Sequence, residues 1–290
     1  MESRMDMSSL LESPSIVTVA TGFKFTEGPV WHPDGYLLFT EIGDPWQIWR
    51  VIPGQPKELY RDNTNRATGL TLDLNGDLIA CEQMSRSVTK MDPSGTISSI
   101  ATHYEGQRLN RPNDVVGRSD GNLYFSNRGA GSWEDETDIE ENGVYRISPE
   151  GEVHQEIYPF EDPNGLAISP DEKIYYQINT RPSAHIDAFD IADDGSLSNM
   201  RRLFTFPKSE KPGFPDGMKI DIEGRIYVSG PGGLWVLTAN GDKLGVIEFP
   251  EQVINMGWGE TDNQTLFVAA MTSIYSIRLR TPGTPIPLSL

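Results

Sequence analysis

The chain has 290 residues, of which 24 are Lys or Arg and 42 are Asp or Glu, so its formal net charge is −18. This balance leaves no basic cluster for the phosphates of DNA or RNA, and it repels anionic membranes, so neither is expected as a partner. One Cys cannot form a disulfide within the chain, and no segment approaches the roughly 18 apolar residues of a membrane helix.

The first 14 residues are interrupted by charged side chains and hold no apolar core of a signal peptide. We therefore expect residues 1–14 to be a flexible tail and the protein to be cytoplasmic. An apolar run, Ser15–Ala20, follows. Beyond it, short runs rich in Val, Ile, Tyr, Phe and Leu alternate with Gly, Pro, Asp and Asn, which is typical of strands joined by tight turns. Amphipathic helical patterns are nearly absent.

One unit occurs six times along these runs: a polar residue, a Gly or small residue, a β-run, a tight turn and a second β-run. Its copies start 39 to 52 residues apart, and a third β-run follows each of them. The first residues of the copies, which we call the lead residues, are Glu27, Thr68, Asn113, Asn164, Asp216 and Asn255.

Four strands in roughly every 40–50 residues indicate the blades of a propeller. The sequence therefore predicts an all-β fold, a six-bladed β-propeller of four-stranded blades that forms one domain over residues 15–290. The sixth copy lacks a convincing fourth strand of its own. We expect the run Ser15–Ala20 to supply that strand and close the ring.

The first strand of each propeller blade lines the central channel, so the six lead residues are expected to form a ring at one mouth. Two of them are carboxylates and three are amides. Two carboxylates balance the charge of a divalent cation and amide oxygens add neutral ligands, so the set suits Ca²⁺, Mg²⁺ or Mn²⁺. No His or Cys belongs to the ring, which argues against a site selective for zinc. The alternative is a structural ring that hydrogen-bonds to itself or to channel water.

Four motifs stand in order at blade spacing. They are FTEGPVW at Phe25–Trp31, RLNRPNDVV at Arg108–Val116, DPNGLAISPD at Asp162–Asp171 and FPDGMKID at Phe214–Asp221. In these motifs the chain resembles the gluconolactonase, regucalcin and senescence-marker-protein family, with diisopropylfluorophosphatase as a more distant relative. The resemblance implies a six-bladed propeller that acts as a metal-dependent lactonase, and some relatives hydrolyse organophosphates.

The same resemblance implies roles for individual residues. Glu27, Asn164 and Asp216 correspond to metal ligands of the family. Asn113 corresponds to a residue that binds the metal or contacts the substrate, and Arg111 stands where some relatives carry a substrate-contacting Arg. The implied cofactor is one divalent cation, with Ca²⁺ as the first choice and Mg²⁺, Mn²⁺ or Zn²⁺ as alternatives.

Three positions depart from the pattern of many relatives. Gln83 replaces a His, Asn127 replaces an Asp in the segment Ser126–Arg128, and Asn179 replaces an Asp. Amide side chains thus replace two carboxylates and one imidazole. These replacements favour a specialised substrate over plain gluconolactone.

The mechanistic hypothesis is metal-assisted hydrolysis of a lactone, in which the cation polarises the carbonyl and water attacks it. Asp216 is the candidate general base, and direct nucleophilic attack by Asp216 is a variant. Asn113 and Arg111 would position the substrate oxygens.

Other functions remain open at this point. An organophosphate or ester hydrolase could use the same residues. A non-catalytic propeller that binds a small molecule would not need Glu27 and Asp216 at matching positions, and a strictosidine-synthase-like propeller would lack the metal ring. The oligomeric state is not predicted.

Several side chains outside the ring have two interpretations. The acidic stretch Gly129–Asn142 is a solvated loop, or its Trp133 forms part of a lid over the substrate. Phe214 and Trp46 are apolar walls of a pocket or packing residues. Cys81 is expected to be a small buried residue.

Overall fold

A computed structural model of the chain describes residues 9–129 and 138–289. These residues form 26 β-strands and no α-helix, and the search over them finds no helix that could cross a membrane. The all-β prediction is therefore confirmed.

Six antiparallel sheets of four strands follow one another along the chain and form the blades. Blade 1 contains β2 (Thr26–His32), β3 (Tyr36–Glu41), β4 (Gln47–Val51) and β5 (Glu58–Arg61). Blade 2 contains β6 (Ala67–Leu72), β7 (Leu78–Glu82), β8 (Ser87–Met91) and β9 (Ile97–Ala101). Blade 3 contains β12 (Arg111–Gly117), β13 (Leu123–Arg128), β14 (Gly143–Ile147) and β15 (Val153–Ile157). Blade 4 contains β16 (Pro163–Ile168), β17 (Ile174–Asn179), β18 (His185–Ile191) and β19 (Leu197–Thr205).

The remaining strands complete the circle. Blade 5 contains β20 (Met218–Ile220), β21 (Ile226–Gly230), β22 (Gly233–Leu237) and β23 (Lys243–Ile247). Blade 6 contains β24 (Val253–Gly259), β25 (Thr265–Ala270), β26 (Ser273–Arg278) and β1 (Val17–Thr21). A small hairpin of β10 (His103–Tyr104) and β11 (Gln107–Arg108) lies between blades 2 and 3 in sequence. The first strand of each blade contacts the first strands of its neighbours all the way round, which confirms the six-bladed propeller.

The ring closes through the N-terminal strand. Strand β1 pairs antiparallel with β26, with Val17 opposite Ser276 and Thr21 opposite Ser273. Blade 6 therefore takes three strands from the end of the chain and one from its beginning, as predicted. Upstream of β1, Leu10 is buried in the core cluster of blades 5 and 6. The tail predicted for residues 1–14 lies mostly outside the described ranges.

Glycines that follow lead residues allow the inner strands to approach closely. A Cβ on Gly28 would lie 2.1 Å from the carbonyl oxygen of Thr68, and one on Gly165 would lie 2.1 Å from that of Asp216. The amide of Gly165 donates to this Asp216 oxygen at 2.7 Å. These glycines thus allow the lead residue of the next blade to pack directly against the inner strand that precedes it. This close packing brings the lead residues together in a ring.

Irregular pairing turns the lead side chains toward the channel. The β2–β3 register shifts between Glu27 and Val30, and equivalent shifts occur in the first strand pairs of blades 2, 3, 4 and 6. A bulge re-aims side chains that a regular strand would place alternately on its two faces. In blade 5 strand β20 begins only at Met218, so Asp216 lies in the segment before it.

Candidate active site

A cavity of about 710 Å³ opens at the end of the channel where the lead residues lie, and we call it the mouth cavity. Its walls include four lead residues, namely Glu27, Thr68, Asn113 and Asp216. Arg111 also lines it, two residues before Asn113 on β12. The other two lead residues, Asn164 and Asn255, are each 2% exposed and do not belong to its described walls.

Two carboxylates dominate the electrostatics of the mouth cavity. Glu27 and Asp216 are both buried. Burial raises the pKa of Glu27 well above its ordinary value, and repulsion from Asp216 and Asp114 adds to the effect. Burial likewise raises the pKa of Asp216 to about 7, although the positive charge of Arg128 opposes the shift. Burial and the neighbouring acids thus both disfavour the charged forms of these two side chains.

The two buried lead amides hold the carboxylates in place. Asn255 Nδ2 donates to Glu27 Oε2 at 3.0 Å, while its Oδ1 accepts from the amide of Met256 at 2.8 Å. Asn164 Nδ2 donates to Thr180 Oγ1 at 3.0 Å, and hydrogen bonding from Asn164 counteracts the rise in the pKa of Asp216. Asn255 is thus a support for Glu27 and not an open ligand.

A third buried carboxylate, Asp114, was missed from the sequence. It is 3% exposed, and its Oδ1 accepts from the amide of Val115 at 2.9 Å. Burial raises the pKa of Asp114, and attraction to Lys219 works against this. The signal was its place in the repeat, because Asp114 directly follows the lead residue Asn113 where four other copies carry Gly.

The donor set fits a divalent cation held by oxygen ligands. Glu27 and Asp216 make no ion pair with any Lys or Arg of residues 9–129 and 138–289, so only hydrogen bonds and longer-range charge, such as that of Arg128 on Asp216, offset their burial. Such a cluster needs a cation or protons to neutralise it. In the same ranges no three His, Cys, Asp or Glu side chains are placed to hold a metal ion together. An ion here would therefore also need amide oxygens or water as ligands.

Arginines surround the mouth. Arg66, Arg111, Arg128 and Arg181 all line the cavity, and only Arg111 was selected from the sequence. Burial lowers the pKa of Arg66 and the positive charge of Arg111 lowers it further, so these two side chains are neighbours. Arg128 and Arg181 both pair with Asp162, the latter at 3.4 Å. The cavity thus combines buried acids with guanidinium groups, of which Arg111 is buried and Arg181 is exposed at the rim.

The three replaced family positions have different surroundings. Gln83 lines the cavity. Asn179 is fully buried and does not belong to the described walls; its Oδ1 accepts from the amide of Asp162 at 2.8 Å, and its Nδ2 donates to the carbonyl oxygen of Ser183 at 2.9 Å. Asn127 is also fully buried, and its amide atoms make no hydrogen bond of good geometry within the described ranges. Of the three, Gln83 alone is placed by the described residues to touch a substrate.

The candidate residues outside the ring differ in where they lie relative to the mouth cavity. Phe214 lines the mouth cavity, whereas Trp46 is absent from its described walls. Cys81 is fully buried, as expected, and burial raises the pKa of its thiol. Trp133, considered as part of a lid, lies outside the described residues.

Comparisons with known proteins identify the family of the chain. Residues 25–272 match the family described as the SMP-30/Gluconolactonase/LRE-like region. The chain belongs to this family. It is 32% identical to the gluconolactonase of Zymomonas mobilis, over 93% of this chain and 83% of that protein. It is 26% identical to the pentonolactonase XacC of Haloferax volcanii, over 86% and 82% of the two chains.

A solved structure of a protein described as a gluconolactonase superimposes on most of the chain. It is XC5397 from Xanthomonas campestris, described as a gluconolactonase important in glucose secondary metabolic pathways. The TM-score is 0.86 at 26% identity, and the match covers 94% of this chain and 92% of that one. The family resemblance inferred from the four motifs is therefore confirmed.

Proposed function

We propose that the protein is a lactonase that opens a sugar lactone or another small lactone with the help of one divalent cation at the mouth cavity. The observation that carries the proposal is a pair of buried carboxylates, Glu27 and Asp216, that make no direct ion pair with the described residues and line one cavity together with four arginines. Family membership and the lactonase names of two relatives support the same reaction class.

The cation would be held by oxygen atoms of Glu27, Asn113, Asn164 and Asp216, with Ca²⁺ as the first choice. When bound, it supplies a positive charge that polarises the lactone carbonyl and stabilises developing negative charge on its oxygen. Asn255 keeps Glu27 in position through its hydrogen bond to Oε2. Binding of the cation by Glu27 and Asp216 removes the repulsion between them.

Asp216 is the proton acceptor in this proposal. Water forms a bond to the carbonyl carbon and gives a proton to the Asp216 carboxylate. The ring C–O bond then breaks, and the departing ring oxygen takes the proton to become a hydroxyl. The product is an open-chain hydroxy acid, and Asp216 returns to its charged form.

Arg111 and Asn113 orient the substrate. Both line the cavity from β12, and Arg111 is 7% exposed, so its guanidinium is held by the protein and not by solvent. Its N–H groups would donate to the hydroxyl oxygens of the lactone. The product carboxylate would meet the same guanidinium before it leaves.

The test is a pH-stat screen of sugar, aliphatic and aromatic lactones, with and without chelator and with each cation restored in turn. We expect turnover of at least one sugar lactone, loss of turnover with chelator and recovery with a divalent cation. Asp216→Asn should reduce kcat at least 100-fold. Asp171→Asn, the same change in an exposed turn of blade 4, should leave kcat unchanged.

Each proposed feature can fail separately. Turnover that ignores the chelator contradicts the role of the cation, and full activity in Asp216→Asn with cation bound contradicts the role of Asp216. Organophosphates belong in the same screen, because an ester hydrolase on these residues is the alternative reaction. No turnover of any compound favours a non-catalytic binding propeller. The cytoplasmic location stays a prediction from the sequence.

A further inference from the structure

A second cavity, of about 470 Å³, lies at the opposite end of the channel, and we call it the floor cavity. Its walls include Val30, Leu70 and Val115, which stand two or three residues after the lead residues of their strands. A strand advances about 3.3 Å per residue, so these walls lie roughly 7–10 Å beyond the ring. The proposed lactonase reaction makes no use of this cavity.

The chain segment 282–289, which we call the strap, closes the floor cavity from below. Four backbone hydrogen bonds hold it: Ile222 N to Pro282 O at 3.0 Å, Gly283 N to Asn263 O at 2.8 Å, Thr284 N to Ile220 O at 2.9 Å, and Ser289 N to Leu74 O at 2.6 Å. The strap thus crosses from blades 5 and 6 to blade 2. Ile286 and Leu288 pack against the core cluster of blades 1 and 2 and present apolar surface to the cavity.

The charged side chains of the cavity wall are Glu172, Lys219 and Glu260. Glu172 pairs with Arg118 at 3.8 Å, and Glu260 pairs with Arg278 at 3.2 Å. Each carboxylate therefore has its own guanidinium partner. Lys219 is therefore the charged side chain of this wall that makes no direct ion pair with a carboxylate of the described residues.

Lys219 projects from β20, an inner strand, and is half-buried. Its Nζ donates to the carbonyl oxygen of Met218 at 3.1 Å and makes no ion pair with residues 9–129 or 138–289. Its charge reaches Asp114 only at longer range. An ammonium group has three N–H donors, so the hydrogen bond to Met218 leaves donors for another acceptor.

Two more buried polar atoms belong to side chains of this wall. Trp258 Nε1 and Thr284 Oγ1 are both buried and find no hydrogen-bond partner among the described residues, and both residues line the floor cavity. Gly283 of the strap packs directly on the Trp258 indole, where a Cβ would lie 1.8 Å from Cγ. Buried polar groups are nearly always satisfied in folded proteins, so this part of the wall has spare hydrogen-bonding capacity, although neither atom has surface exposed to the cavity.

We propose that the floor cavity binds an amphipathic carboxylate. Its hydrocarbon part would lie among the apolar walls, and its carboxylate would accept from the Lys219 ammonium group. A volume of about 470 Å³ lies within the range of small-molecule sites. A neutral alkane would leave the donors unsatisfied, and a cation would be repelled by the ammonium group.

Isothermal titration calorimetry with decanoate and decan-1-ol tests the proposal on the full chain. We expect saturable binding of one decanoate per chain and at least tenfold weaker binding of the alcohol. Lys219→Met should weaken decanoate at least tenfold and abolish the preference for acid over alcohol. Lys219→Arg should keep that preference, which separates loss of charge from loss of structure. Removing methylenes should weaken the acid about fourfold each.

Lys173→Met is the matched control, because Lys173 is exposed in a turn beside the same cavity but does not line it. It should change decanoate affinity less than twofold. The proposal is wrong if wild type shows no saturable decanoate binding, or if Lys219→Met binds decanoate as well as Lys173→Met does. It is also wrong if Asp216→Asn loses decanoate while Lys219→Met keeps it, since the acid would then bind in the mouth cavity. None of these outcomes depends on lactonase activity.

Discussion

The mouth cavity and the floor cavity lie at opposite ends of the same six inner strands, yet carboxylates form the base of one and apolar side chains form the walls of the other. At the mouth, Glu27 and Asp216 are buried without a direct ion pair to the described residues; a bulge begins at Glu27, and Asp216 lies in the segment before β20. At the floor, the strands have resumed regular pairing, and Val30 and Leu70 face the cavity. The difference shows that the chemistry is concentrated in the first residues of each repeat, while the residues after them build packing.

The close approach of strands at the mouth gives the largest expected effect. Gly165→Ala places a Cβ against the Asp216 carbonyl, so the inner strands of blades 4 and 5 must move apart. Overpacking against backbone should cost about 3 kcal/mol or more in the free energy of unfolding. Gly117→Ala, at the floor end of β12, meets only ordinary contacts at 3.5 Å and should cost less than about 1 kcal/mol. Urea unfolding measures both, and equal losses would contradict the comparison.

Neutralising a buried carboxylate should change the free energy of unfolding in opposite directions at the mouth and at the floor of the channel. Asp221, in a floor-side turn, is fully buried and accepts from Arg225 Nε at 2.7 Å, so Asp221→Asn should cost about 2–3 kcal/mol. Asp114→Asn removes one of three clustered negative charges near the mouth. In chelator it should leave the free energy of unfolding unchanged or raise it. A loss in Asp114→Asn as large as that in Asp221→Asn would show that Asp114 is already compensated.

The repeat predicted much of this contrast, because it depends on local chemistry. Lead residues such as Glu27 and Asn113 could be placed on one ring, since blade geometry brings equivalent positions together. The role of Asn255 as a hydrogen-bonding support could not be predicted from the repeat. Its amide donates a hydrogen bond to Glu27 of another blade, and neither sequence segment alone predicts this contact.

The rest of both cavities comes from segments outside the repeat. Arg66 and Arg181 reach the mouth from turns whose conformation is set by tertiary contacts, so no spacing rule selects them. The strap at 282–289 reads as a Pro-rich end of chain, and its role in closing the floor depends on hydrogen bonds to three different blades. Asp114 was the avoidable omission, because its carboxylate stands at a position where the repeat otherwise prefers Gly.

Cation binding should stabilise the mouth alone. If Glu27 and Asp216 hold the ion, Ca²⁺ at about 100 times its Kd should raise the free energy of unfolding by about 2.7 kcal/mol. The double variant Glu27→Gln, Asp216→Asn should lose this gain. Glu260→Gln, at the floor, should keep it. Thermal unfolding with Ca²⁺ and with chelator measures the difference, and a gain that survives in the double variant would place the ion elsewhere.

The smallest expected effect separates the rim of the mouth from its base. The Arg181 side chain is 70% exposed and pairs with Asp162 at 3.4 Å, so Arg181→Ala should change the free energy of unfolding by less than about 1 kcal/mol. Its guanidinium lies 5.9 Å from the Phe214 ring, at the entrance and away from the buried acids. Steady-state kinetics on the best lactone should therefore show KM raised about two- to fivefold with kcat unchanged, an effect of about 0.4–1 kcal/mol on binding.

Arg111→Ala is the contrasting variant, because Arg111 is buried beside Asn113 and should affect kcat as well. A tenfold fall in kcat for Arg181→Ala would place the rim in the reaction itself, and the distinction between base and rim would then fail.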